Sequence, residues 1–396
     1  MLDLARLMPC IEEMVTWQKG QSSLRGNQIS LASVTMGKAG KDWKSAAERI
    51  HASNTSWLPA GLLERPDERH TAAPAPEEYL ACATDGSQIA PDRNEIAWCL
   101  LLNVGTVYLR YGQRAQAQIK SNASLIYRET DVQEGGADYG DVLPSKELAR
   151  RRLMAECEEL EKLMEQQAKE GLPAIALSDG NLVLWMLESE KSDSTNEAIK
   201  PFINMLKHSR DLNIPVAGYI SKPGSREVVT ALRMLRCDKK SVNCDLYCGK
   251  VTNSIRREAP CAGTEEIQDI DLFQDLHPGE RSALFASNSK IIEQAYPEGL
   301  RIHFFYLNTG EEIARVEIPE WAGNDPKMLD RVHAMILDQA VKGQGYPRAL
   351  TEAHECAIVR GADREAFYLH LQRLYVKNGL PLVTPRKALS KRTRGV

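Results

Sequence analysis

Leu153, Cys157, Leu160, Leu163 and Met164 recur every three to four residues through the segment 145–169, a pattern that predicts a long helix stopped by Gly171 and Pro173. Continuous apolar runs flank it. "EYLACAT" and "EIAWCLLLNVGTVYLRYG" precede it, and residues 174–178, ending at Asp179, follow. The central "NVGT" reads as a tight connection, so the first region supplies three successive strands, the first ending at Asp85. A helix over about 196–213, the buried strand "IPVAGYIS" and the helix "GSREVVTALRML" continue the order. Farther on, "LRIHFFYLNT" and "EEIARVEIP" predict strands, and helices are expected at 326–342, 347–360 and 363–378.

The pattern changes at both ends of this region. Residues 1–64 predict a helical N-terminal extension, with a helix at 2–18, a polar stretch, and a second helix around "SAAERIHASN". The proline- and charge-rich residues 65–77 read as a linker. The main domain then spans 78–396, with a polar, irregular insertion at about 237–295. Three antiparallel strands followed by α-β-α-β is the order of a ribonuclease H-like (PIWI-like) mixed sheet flanked by helices. In that α/β arrangement the first strand lies beside the strand after the first helix. Asp85 and Asp179 then become neighbours at one sheet edge.

Composition narrows the setting. A chain of 396 residues with 43% apolar side chains supports a substantial core. With 50 basic against 54 acidic residues, net −4, it has no overall basic surface for nucleic acid, so local clusters must carry any such contact. No run approaches the roughly 18 apolar residues that cross a bilayer. The start "MLDLARLMPCIEEMV" bears acids where a signal peptide is basic, and the chain reads as cytoplasmic, with no membrane partner. Nine cysteines without a CxxC pair read as buried thiols rather than disulfides or a zinc site.

Asp-Gly is a common turn pair, and either "ATDGS" or "ALSDG" alone reads as a turn. Together at the ends of adjacent apolar strands they read as two acidic ligands, because close carboxylates repel unless a cation sits between them. Phosphodiester cleavage by such sites usually needs further ligands. Glu156 lies within the apolar stripe of the long helix, where a carboxylate needs a partner. That partner is either a metal or a cation such as Arg152. In "GYPRALTEAHECAIVRGADRE" a helix begins at Pro347, and His354 falls on its buried side with Leu350, Ala353, Ala357 and Ile358, Tyr346 lying just before the start. A histidine there is either a hydrogen-bonded core residue or a metal-side group.

Taken in order and spacing, "ATDGSQIAPDR" with "NVGTVYLRYG", "ALSDGNL", "VAGYISKPGSREVVTALR" and "GYPRALTEAHECAIVRGADRE" resemble the NurA nuclease family from about residue 78 to the C-terminus. The resemblance implies a Mn²⁺-dependent DNA nuclease, with Mg²⁺ as the other candidate ion. It implies 5′-to-3′ exonuclease and single-strand endonuclease activity, a homodimer, and work with the hexameric HerA translocase in DNA end processing or defence. It carries metal-site roles to Asp85, Asp179 and a helix glutamate, for which the helical wheel selects Glu156. It carries the last motif's tyrosine and histidine to Tyr346 and His354.

Two basic clusters complete the expected site. Ser221, Lys222, Ser225 and Arg226, at a strand-to-helix junction, suit phosphate binding through side chains and the helix N-terminus, or a solvated loop. Lys387, Lys391 and Arg392 in the tail suit electrostatic contact with DNA. A contrasting reading is an inactive ribonuclease H-like DNA-binding adaptor of a translocase, against which the intact acidic set argues. A haloacid-dehalogenase-like phosphatase fits less well, since its nucleophile strand calls for DxD and this one reads "DGS".

Overall fold

The computed structural model describes residues 3–91, 95–127, 145–185, 192–248 and 259–381, apart from the side chains of 145–146 and 192–198. Lys387, Lys391 and Arg392 therefore lie outside the described residues. Helices α1 (Leu4–Lys41) and α2 (Trp43–His51) lead to strands β1 (Gly61–Leu62), β2 (Arg69–Thr71), β3 (Tyr79–Ile89), β4 (Leu100–Tyr111) and β5 (Gln116–Ile126). Next come α3 (Ser145–Ala168), β6 (Ala174–Asp179), α4 (Ser192–Asp211), β7 (Val216–Ile220) and α5 (Glu227–Leu235). Short elements follow: α6 (Cys244–Cys248), α7 (Asp269–Leu272), β8 (Glu280–Ser282), β9 (Phe285–Ala286) and α8 (Lys290–Ala295). The chain closes with β10 (Ile302–Asn308), β11 (Ile313–Pro319), α9 (Glu320–Gly323), α10 (Pro326–Lys342), α11 (Arg348–Ala357) and α12 (Gly361–Lys377).

Contacts divide the chain into two units, residues 75–218 with 334–396, and residues 1–74 with 219–333. In the first, the strands run β7-β6-β3-β4-β5 across the sheet. β3 pairs antiparallel with β4 and β4 with β5, while β3 and β6 run parallel, which is the ribonuclease H-like order expected. Residues 79–83 of β3 and 174–177 of β6 are buried, as continuous apolar runs in a two-sided layer must be. Helix α3 packs through Leu148, Cys157, Leu160 and Met164, and α11 through Ala349, Leu350, Ala353 and Ala357. Side chains alternate faces along a strand. The α11 helix meets the face of Asp85 and Gly105, and α3 meets the opposite face at Gly86.

Three local expectations are corrected. β4 runs straight through "NVGT"; its hairpin turn falls later, at Gly112 with φ +109°. Gly105 is there because a Cβ would overlap the carbonyl oxygen of Ala353, so its missing side chain admits a crossing helix rather than a turn. β3 likewise does not end at Asp85 but stays paired with β4 to Ile89. And α1 is one helix of 38 residues, without the expected polar break. Arg25 ties its middle to Asp271 at 2.8 Å, and Ala32, Met36 and Ala39 bury its last turns, so tertiary contacts carry the helix through a stretch whose sequence is indifferent.

In the second unit, Met36, Ile50 and Leu62 share one core with Ile267, Phe273, Leu276 and Phe285. Residues 69–71 form a strand paired with β8, and the segment 237–295 contributes both short elements and core side chains. A buried ion cluster lies beside that core. Arg315 pairs with Glu227 at 2.7 Å and Glu317 at 2.8 Å, its guanidinium over the Phe304 ring. No disulfide joins any of the nine cysteines. Among the described residues, no helix is long and apolar enough to cross a membrane.

Candidate active site

Parallel pairing of β3 with β6 ends at Thr84 opposite Ser178. Asp85 and Asp179 are the next residues on each strand, on the same face, and neighbouring strands lie about 4.8 Å apart. The sequence therefore juxtaposes two carboxylates through register alone. Asp85 Oδ2 lies 2.7 Å from His354 Nδ1, and Asp85 Oδ1 accepts the Gly86 N–H at 2.8 Å. The Tyr346 hydroxyl donates to Asp179 Oδ1 at 2.8 Å. The last motif's histidine and tyrosine thus meet one aspartate each.

Glu156 approaches from α3. Its carboxyl lies over Gly86, where a Cβ would stand 2.5 Å from Oε1, so the glycine of "DGS" makes room for the glutamate. Thr84 ties β3 to the Glu156 carbonyl at 3.2 Å. Burial, helped by the negative charges of Asp85 and Asp179 and opposed by Arg152, pushes the Glu156 carboxyl up to about 7. Arg152 Nε is 3.3 Å from Glu156 Oε1. Of the two partners weighed for Glu156, the arginine is present, and the charges of the two aspartates also act on its carboxyl.

Helix α11 is fixed at both ends. Gln339, fully buried, accepts the Ala349 N–H at 3.1 Å and donates to the Tyr79 hydroxyl at 2.9 Å, and that hydroxyl in turn donates to Asp338. At the other end the Ala357 carbonyl accepts from Ser87 at 2.5 Å and from Asn103 at 2.8 Å, while Ser121 holds Asn103 at 2.7 Å. His354 is not on the buried side of this helix, as its spacing suggested. Its side chain is 58% exposed, on the helix edge that faces Asp85, while the alanines around it take the buried positions.

The donor set is three carboxylates and one imidazole, oxygen-rich chemistry that fits a hard divalent cation such as Mn²⁺ or Mg²⁺. The placing of Asp85 and Asp179 side by side just past the last β3–β6 pair, with His354 on the first, is the observation behind that fit. Among the described residues, no three His, Cys, Asp or Glu side chains already stand in a coordinating group. Instead His354 lies against Asp85, Tyr346 against Asp179, and Arg152 against Glu156 on the α3 side of the strand.

The junction after β7 behaves differently. Ser221 donates to Glu312 at 2.5 Å, Ser225 bonds the Tyr306 hydroxyl at 2.8 Å, and Arg226 donates to the carbonyls of Thr264 and Glu265. The α5 N-terminus, expected to receive phosphate, is filled by Asp269, whose carboxylate accepts the Val229 N–H at 2.8 Å. Lys222 remains exposed, at a positive φ of 48°.

The NurA domain matches residues 79–358. Comparison with the curated proteins gives no significant match. Among solved structures, the chain is similar to prototype foamy virus protease-reverse transcriptase, at 15% identity over 39% of this chain and 20% of that one, TM-score 0.21. It is also similar to LC9-RNase H1, a type 1 RNase H with the type 2 active-site motif, at 10% identity over 40% of this chain and 71% of that one, TM-score 0.21. A trimeric exonuclease, PhoExo I from Pyrococcus horikoshii OT3, aligns at 10% identity over 61% of this chain and 98% of that one, TM-score 0.17. The chain spans a fifth of the length of the first of these. The fold assignment rests on strand order, not on these scores.

Proposed function

The chain belongs to the NurA family of nucleases, and we propose that it is a metal-dependent deoxyribonuclease whose Asp85, Glu156, Asp179 and His354 hold one or two divalent cations, Mn²⁺ or alternatively Mg²⁺. The observation that carries this reading is the pair of contacts at the β3–β6 edge, Asp85 with His354 and Asp179 with Tyr346, beside a glutamate that responds to both aspartates. When bound, such a cation supplies a Lewis acid that favours deprotonated water and offsets charge developing on the phosphate. Asp85 and Asp179 orient the ligand oxygens. His354, anchored through Nδ1 and largely exposed, turns the rest of its ring toward solvent, where it can ligate or stabilise the phosphate. The Tyr346 hydroxyl is an exchangeable donor beside Asp179 and would position the substrate or its strand end.

By family likeness the substrate is DNA, cut as a 5′-to-3′ exonuclease and single-strand endonuclease, by a homodimer that works with a HerA-type ATPase. The net charge of −4 supports reliance on a partner to deliver DNA. Exposed Lys222 and the tail residues Lys387, Lys391 and Arg392 remain candidates for electrostatic contact with DNA, whereas Ser221, Ser225 and Arg226 are committed to internal hydrogen bonds. The test is cleavage of end-labelled linear DNA with Mn²⁺, Mg²⁺ or chelator, with and without a HerA-type translocase and ATP. Chelator-sensitive cleavage enhanced by the translocase and ATP is expected. DNA binding with no cleavage under any of these conditions would instead favour the inactive-adaptor reading.

A further inference from the structure

The α3 segment carries three consecutive arginines, and they are used differently. Arg150 and Arg151 both bind Glu147, each through Nε at 2.7 Å. Arg152 is turned the other way, toward the acidic edge. Its aliphatic stem lies over Gly86, where a Cβ would stand 2.7 Å from Cγ and 3.1 Å from Cδ, and this channels the guanidinium beside Glu156. The ion pair is a single 3.3 Å contact through Nε, supplemented by a long 3.5 Å contact from one terminal nitrogen to Gln88 Oε1. A guanidinium has five N–H donors in a planar fork, so most of this fork is uncommitted, and the side chain is 41% exposed. Other arginines of the same unit are tied elsewhere: Arg110 to Glu170 at 2.5 Å, Arg348 to Glu352 at 2.5 Å, and Arg360 to Glu355 at 3.3 Å.

From this geometry we infer that Arg152 is a substrate-binding residue that grips a backbone phosphate of the nucleic acid next to the cleaved bond. The inference rests on the nuclease reading above. In the free protein Arg152 balances the charge of Glu156; when a strand enters, the fork engages two non-bridging oxygens of a phosphate, and Glu156 is released for its own role. No bond is made or broken in this exchange. A planar, weakly hydrated cation suits such bidentate contact, and lysine does not reproduce it.

The experiment compares wild type, Arg152→Ala and Arg152→Lys. In cleavage of a labelled oligonucleotide with Mn²⁺, Arg152→Ala is expected to raise KM about tenfold or more while kcat changes less, with Arg152→Lys between the two. Single-stranded DNA binding in chelator, titrated with salt, gives a readout independent of cleavage: loss of one phosphate contact lowers the slope of log K against log salt by about 0.7. An oligonucleotide with one neutral methylphosphonate, moved stepwise past the cleavage point, completes the set. At one position the wild type loses affinity and Arg152→Ala loses no more. Unchanged KM and salt slope in Arg152→Ala, or equal losses at every methylphosphonate position, would overturn the inference while leaving the nuclease reading intact. A wild type that cleaves nothing overturns both.

Discussion

His354 Nδ1 and Asp85 Oδ2 lie 2.7 Å apart across 269 residues of chain, and the same carboxylate takes the Gly86 N–H with its other oxygen. Both oxygens are thereby oriented before any ligand arrives. Asp179, one register step beyond the last β3–β6 pair, is oriented by Tyr346. Asp85→Asn and Asp179→Asn should each lower DNA cleavage at least about a hundredfold, since each removes an anionic ligand where positive charge is needed. Circular dichroism and melting temperature should stay close to wild type, because both side chains reach solvent. Near-normal cleavage by either variant removes that residue from the site.

His354→Ala should abolish most cleavage while changing stability by no more than about 0.5 kcal/mol, the usual range for an exposed position. Tyr346→Phe keeps the ring and deletes the donor to Asp179. Turnover should fall with the fold unchanged. Paired activity and urea-unfolding measurements check both, and a His354 variant that loses stability rather than activity would be a structural residue.

Gly105→Ala should cost about 1–3 kcal/mol, the range for overpacking, because its Cβ meets the Ala353 backbone rather than a movable side chain. Activity should fall too, since α11 carries His354. Gly361→Ala is the control: a Cβ there meets nothing within 4 Å, so both properties should hold. Equal behaviour of the two variants in unfolding and cleavage assays would mean that α11 is not held against β4 as described.

Acid sensitivity should come from the second unit. Burial lowers His303 and His333 to about 4 from the usual 6.5, so each contributes stability that is complete above pH 6.5 and lost as pH falls toward 4. Glu64, lowered to about 2 although burial opposes the shift, because His70 and Arg281 bind it, adds a loss at still lower pH. Asp269 acts in the opposite sense: burial raises it to about 6, and its contribution fades as pH rises toward that value. Two histidines, with Glu64 beginning to titrate, stand against Asp269 and against Glu156 of the first unit, raised to about 7, and leave a net loss of only about 1–2 kcal/mol between pH 6.5 and 4. Urea midpoints across this range test it, and His333→Gln, which retains a donor for the Gly279 carbonyl, should flatten the curve.

Strand and helix order were legible in the sequence because periodicity reports burial directly. α10 occupies 326–342 as its spacing requires, and β6 ends at Asp179 where the apolar run stops. The juxtaposition of Asp85 and Asp179 followed from topology, since parallel register fixes which residues lie side by side just past the last pair. The glycines were read less well. "DGS" and "NVGT" look like turns to any local rule, yet Gly86 and Gly105 sit inside strands, admitting Glu156 on one face and α11 on the other. An isolated glycine within an apolar strand does signal close approach, but not of what.

What the sequence determined by itself is therefore the supply of groups: an aspartate on each of two neighbouring strands, a glutamate in a helical stripe, and a tyrosine and a histidine before and within one helix. Tertiary structure decided their partners. Arg152 and Glu156, at i and i+4 on one helix, were legible as a pair, but only the fold lays that pair against Gly86, and His354 reaches Asp85 because Gln339, Asn103 and Ser87 pin both ends of α11. The contacts with Gly86 and Asp85 join residues far apart in the chain. Local patterning carries no term for them, since hydrophobic spacing sets which face of an element is buried but not which side chain from a distant segment comes to lie against it.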